Sequence, residues 1–173
     1  MTSVAGLAVA EAVIDDKDYE IVNGVKEVKM AGALHGRTIM RLGWRLAMHV
    51  EQNQLGDIYS PDTTFLIGTN ERLPDLAFLA KERIPAEGVP FGKWGIPPDL
   101  AVEVISPNDI YTNVKTKLSD YFNAGVREVW VVEPETKLVT VYESLTRDRI
   151  LSEDDELTSA LLPGFKCRVG DLF

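Results

Sequence analysis

The chain contains one cysteine, Cys167, and two histidines, His35 and His49. An internal disulfide is therefore impossible, and so is a zinc site built from clustered Cys and His. That usage fits a reducing, intracellular setting, and a cytoplasmic location is expected. Long apolar runs are also missing. None approaches the roughly 20 residues that a membrane-spanning helix requires, so a soluble protein with no membrane association is expected. The segment from Met1 to Ile14 is small and apolar but lacks the basic start and long apolar centre of a signal peptide. Residues 1–18 read as a loosely ordered leader. Basic residues are in deficit, 18 Lys and Arg against 27 Asp and Glu, for a net charge of -9. Such a surface is not built wholesale for non-specific phosphate binding, although it is compatible with a local basic groove. Part of the excess sits in Glu153-Asp154-Asp155-Glu156, which reads as a solvated loop or a helix start.

What is present suffices for one core. With 173 residues, 45% of them hydrophobic and 26% charged, residues 19–173 read as a single domain. Tyr19 to Val28 gives two short strands about Asn23-Gly24, a hairpin signal because both turn residues tolerate positive φ. From Gly36 to about Glu51, Ile39, Leu42, Leu46 and Val50 recur at helical spacing. Arg37, Arg41 and Arg45 share another face, which reads as solvated or ion-paired. His35 stands just before this helix and His49 near its end, exposed. Strand pieces follow at Gly56–Tyr59 and Thr63–Gly68. Residues 81–94 form a turn-rich loop in which Trp94 reads as an anchor and Lys93 as a residue near it.

Two stretches share one shape. Leu73-Pro74-Asp75-Leu76-Ala77-Phe78-Leu79-Ala80 and Pro97-Pro98-Asp99-Leu100-Ala101-Val102-Glu103-Val104-Ile105 each put a Pro-Asp pair ahead of an apolar strand. Proline sets the extended approach, and the acid is expected as the first residue inside the sheet. Period-two alternation sets Asp99 and Glu103 on one strand face, but four residues at ~3.3 Å each hold them about 13 Å apart, too far to share one ion. Buried acids need a partner, and carboxylates delivered by two strands are what a hard divalent cation requires.

After Ser106-Pro107, Asn108 or Asp109 is expected to cap a helix that runs to about Ala124 and is ended by Gly125. Its apolar face is Val114, Leu118, Tyr121 and Phe122. Lys115 and Lys117 flank that face on opposite sides, and periodicity does not choose between them. Arg127–Val132 and Lys137–Glu143 are two more strands joined by a turn, and Leu161–Phe173 is a closing segment that packs back on the core.

Taken together, Tyr19-Glu20 with Asn23-Gly24, His35 before a helix, Pro74-Asp75, Pro98-Asp99 with Glu103 and Ser106-Pro107, Lys117-Leu118 with Tyr121, Ala124-Gly125-Val126, Trp130 and Leu162-Pro163-Gly164-Phe165 resemble the Uma-type restriction endonucleases of the PD-(D/E)XK nuclease superfamily. The likeness spans Tyr19 to Phe173. It implies an α/β fold: a restriction-endonuclease-like mixed sheet flanked by helices, with an N-terminal β-hairpin. It also implies Asp75 as the first metal-binding acid and Glu103 as the second. The strand position that carries a lysine in the superfamily is Ile105 here. Related families place a substitute lysine on the following helix, where Lys117 matches, with Lys115 as the fallback. Asn113 stands where many relatives carry an acid.

The chemistry implied is metal-dependent hydrolysis of DNA. Asp75, Glu103 and the backbone carbonyl of Val104 would hold Mg2+ or Mn2+, and Lys117 would position water or stabilise developing charge. Asp99 is left as a second-site residue or one on the approach to the site, beside His35 and Lys115 in a second tier. Cutting both strands of a duplex makes a homodimer the expected assembly. The alternative is a nuclease-fold binding or assembly module without catalysis, which Ile105 and the acidic net charge favour.

Overall fold

A computed structural model describes residues 19–28, 32–106 and 111–173. The leader 1–18 and the helix-capping residues Asn108 and Asp109 lie outside the described residues. Strands β1 (Tyr19–Val22) and β2 (Val25–Val28) form the expected hairpin, with Asn23 at φ 50° and Gly24 at φ 79° turning the chain. Helix α1 (Ala33–Gln52) follows. It begins earlier than the apolar period indicates, because Gly36 is carried inside its first turns; His35 is therefore in the helix rather than before it. Ile39, Leu42, Leu46 and Val50 are buried, as their spacing predicts.

Next come β3 (Gly56–Tyr59), β4 (Phe65–Ile67), β5 (Asn70–Arg72), β6 (Leu76–Ala80) and β7 (Leu100–Val104). Asp75 and Asp99 each stand one residue outside the strand that the sequence pattern gives them. Strand β5 has no apolar period to announce it: Asn70 and Arg72 are its inward residues. Helix α2 (Tyr111–Asn123) then leads past Gly125, at φ 95°, to β8 (Glu128–Glu133), β9 (Leu138–Ser144) and β10 (Arg147–Leu151). Strand β10 is a charged edge that periodicity passes over, as exposed edges commonly are. The acidic cluster forms a turn into the short β11 (Glu156–Leu157), which pairs with β12 (Cys167–Arg168).

The main sheet has the order β10-β9-β8-β7-β6-β3, mixed because β7 and β8 run parallel while their neighbours run antiparallel. A smaller sheet has the order β2-β1-β5-β4. Even-numbered residues of β6 and β7, including Phe78, Leu100 and Val102, join the inner stripe of α1 and the closing residues Leu162, Phe165, Val169 and Leu172 in one core. Odd-numbered ones, Ala77, Leu79 and Ala101, meet Leu118 and Tyr121 of α2 with Phe65, Ile67 and Trp94 in another. The main sheet is thus covered on both faces. Trp94 anchors its loop as expected: it is buried and stacks on Phe65 at 6.5 Å, while Lys93 pairs with Glu71 at 2.5 Å. Two glycines allow the close approaches. A Cβ at Gly43 would lie 3.1 Å from Leu76, and one at Gly56 would lie 2.1 Å from the Leu79 carbonyl oxygen. No helix among the described residues is long and apolar enough to cross a membrane.

Leu46→Ala empties a fully buried position of α1 and is expected to cost about 2–5 kcal/mol. Ile150→Thr on the exposed edge is expected to stay within about 0.5 kcal/mol. Urea unfolding midpoints at constant slope check both.

Candidate active site

The β6–β7 register pairs Leu76 with Val102 and Ala77 with Ala101. Continuing it by one residue sets Asp75 opposite Glu103, so residue alternation delivers both carboxylates to one face of the sheet. The Val104 backbone N–H donates to Asp75 Oδ2 at 2.7 Å, fixing the first carboxylate against the end of the strand that carries the second. His35 Nε2, from the first turn of α1, lies 3.2 Å from the same Asp75 oxygen. Asp75 and Glu103 are 2% and 5% exposed. Burial of that degree demands partners.

Helix α2 supplies them for Glu103. Lys117, Asp120 and Tyr121 fall at i, i+3 and i+4 and so share a face. Lys117 Nζ donates to Glu103 Oε2 at 2.9 Å, and Tyr121 Oη donates to Glu103 Oε1 at 2.6 Å. Lys117 also lies 3.4 Å from Oε2 of Glu20, an inward residue of β1. Lys115 is exposed and sits over the ring of Tyr111 at 5.5 Å. The helix rotation therefore brings Lys117, and not Lys115, to the carboxylates.

Behind Lys117 stands an ion network. Arg72 Nη1 donates to Glu20 Oε2 at 2.9 Å, and its Nη2 meets Asp120 Oδ2 at 2.5 Å. Glu20 Oε1 accepts the Leu73 backbone N–H at 3.1 Å, and Asn70 Nδ2 donates to Asp120 at 2.9 Å. Carboxylate and cation thus alternate from Glu103 through Lys117, Glu20 and Arg72 to Asp120, with Arg72 only 1% exposed. Burial by itself would lower the Lys117 pKa, but Glu103, Glu20 and Asp75 outweigh it and hold it well above the ordinary lysine value. Lys117 is thereby a fixed positive charge rather than a proton acceptor near neutral pH. Burial, with Glu103 and Glu20 beside it, pushes the Tyr121 phenol well above its usual range, so it stays a neutral donor.

Asp99 is not part of this group. At the opposite end of β7, its Oδ2 accepts the Ala80 N–H at 2.9 Å, and its Oδ1 lies 3.1 Å from Arg83 and 3.4 Å from Arg127. Elsewhere on α1, Arg41 donates to the Phe173 carbonyl, Arg45 donates to the Arg41 carbonyl at 2.7 Å, and His49 lies edge-on to Phe165 with centroids 5.5 Å apart.

No three His, Cys, Asp or Glu side chains among the described residues gather into a ready-made metal group. The donors at the site are hard oxygens from two carboxylates, beside the Val104 backbone. That set fits Mg2+, which commonly takes one or two protein carboxylates and completes its shell with water and substrate phosphate.

A family model described as Uma2, "Putative restriction endonuclease", matches residues 10–170. The chain belongs to this family. A crystal structure of a "putative nuclease belonging to DUF820" from Anabaena variabilis superposes with a TM-score of 0.83 at 18% identity, covering 92% of this chain and 91% of that one. At that identity the likeness shows the fold: the Uma2 chain has the restriction-endonuclease-like mixed sheet, flanking helices and hairpin. No curated protein matches.

Sequence reasoning gave no role to Glu20, Arg72 or Asp120. Glu20 carried a signal, a charge on the same hairpin face as Val22, but its partner lies 52 residues away on a strand with no apolar pattern.

Arg72→Met leaves Glu20 and Asp120 without their shared cation and is expected to cost about 3–5 kcal/mol in urea unfolding. Tyr121 supplies a pH test. Its folded pKa is raised, so its contribution is complete below an unfolded value of about 10 and is lost as pH rises beyond it. Stability is expected to fall progressively as pH rises above about 10, and Tyr121→Phe is expected to remove part of that fall; unfolding midpoints measured as pH is raised check it.

Proposed function

We propose that this Uma2 protein is an endonuclease that hydrolyses DNA phosphodiester bonds with Mg2+ or Mn2+. The observation that carries this is the Lys117 ammonium 2.9 Å from Glu103, where Ile105 leaves the strand without a lysine. Asp75, Glu103 and the Val104 carbonyl are the candidate ligands. A bound cation would polarise the phosphodiester and lower the pKa of an attacking water. Val104 N–H and His35 hold Asp75, and Tyr121 holds Glu103, so both carboxylates are oriented before any ligand arrives. Lys117, kept charged, stabilises the negative charge that develops on the phosphate or orients the water.

Asp99, fastened to Ala80, Arg83 and Arg127, serves the fold at the far end of β7. Residues 19–173 act as one catalytic domain behind the leader 1–18, and two copies as a homodimer would cut both strands of a duplex. The alternative, a binding or assembly module without catalysis, rests on Ile105 and the net charge of -9. The position of Lys117 weighs against it.

Supercoiled, linear and single-stranded DNA incubated with purified protein and Mg2+ test the proposal. Asp75→Asn, Glu103→Gln and Lys117→Met are each expected to lower the cleavage rate by about 10²-fold or more while leaving the far-UV spectrum unchanged. A Glu103→Ala protein that cuts at the wild-type rate would overturn it.

A further inference from the structure

Glu103 Oε2 has two claimants. It accepts from Lys117 at 2.9 Å, and it belongs to a carboxylate assigned to a cation. An ammonium and a divalent cation compete for the same oxygen by charge and by space. The second acceptor near Lys117 is Glu20 Oε2 at 3.4 Å, and it is already fixed in place. Arg72 holds that oxygen at 2.9 Å, the Leu73 N–H holds the other at 3.1 Å, and Asp120 clamps Arg72 from behind. Glu20 is 2% exposed, so it does not swing away into solvent.

We infer that Glu20 is a positioning residue that takes over the Lys117 ammonium when a cation occupies Glu103 Oε2. The inference rests on the assignment of Asp75 and Glu103 as cation ligands. The hand-over keeps a positive charge over the site without leaving it on the ligand oxygen. It also gives the hairpin a part in the chemistry, since β1 supplies the alternative acceptor and β5 the Arg72 that fixes it.

Mn2+ binding to the full chain, followed by calorimetry or by the paramagnetic resonance of free Mn2+, tests this without reference to cleavage. Lys117→Met removes the competitor and is expected to tighten Mn2+ by about tenfold; Glu20→Gln leaves Lys117 on Glu103 and is expected to weaken it by about fivefold. The double variant decides. If Glu20 acts through Lys117, adding Glu20→Gln to Lys117→Met changes affinity by less than about twofold. If Glu20 only adds negative charge or holds the fold, the fivefold loss persists in that background and the inference is overturned. Should Glu20→Gln fail to fold, unchanged or weaker Mn2+ affinity in Lys117→Met overturns it. A Glu103→Gln protein that binds Mn2+ like the wild type would instead remove the cation assignment, and this inference with it.

Discussion

The Val104 N–H to Asp75 hydrogen bond, 2.7 Å long at the end of the β6–β7 pairing, is the constraint on which the site depends. It locks the register that sets Asp75 opposite Glu103. Side chains alternate with period two, so a slip of one residue would send Glu103 into the α1 core and Val104 toward α2. The two apolar layers penalise such a slip at every position of β7, since each of its five residues is buried. Placement of two acids is therefore secured by hydrophobic packing along the whole strand.

Burying that many charges has a cost, and the fold meets it by alternation. A lone buried carboxylate is unfavourable by several kcal/mol, whereas one with a cation and a neutral donor is tolerated. Lys117 and Arg72 each lie between two carboxylates, and Tyr121 adds a hydroxyl that burial keeps protonated. The same network joins α2, the hairpin and β5. The small sheet is thus more than a lid on the second core, because it supplies Glu20 and the Arg72 guanidinium that help set where Lys117 stands.

How much of this was legible depended on the range of the interaction. The Asn23-Gly24 hairpin, the α1 stripe and the paired Pro-Asp strands are local patterns with a period or a turn chemistry, and they appear where expected. Strands β5 and β10 were not legible, because their inward or edge residues are polar and charged and break the alternation that marks a strand. His35 lies inside α1 because the helix runs through Gly36, a residue type that more often marks a helix end. Asp99 carried the same Pro-Asp signature as Asp75, yet antiparallel pairing puts the two acids at opposite ends of the shared ladder.

The sequence by itself determined the hairpin, the α1 stripe and the two Pro-Asp strands, which follow from periodicity and turn chemistry within single segments, and its family resemblance pointed to Asp75 and Glu103. Only the tertiary structure decided that Lys117 rather than Lys115 meets the acids. Both lysines flank the apolar face of α2 symmetrically, and the rotation of the helix is set by Leu118 and Tyr121 packing into the sheet and by Asp120 binding Arg72. The gap at Ile105 stands at the end of β7, and the charges gathered near Glu103 come from the helix that follows and from a hairpin far earlier in the chain.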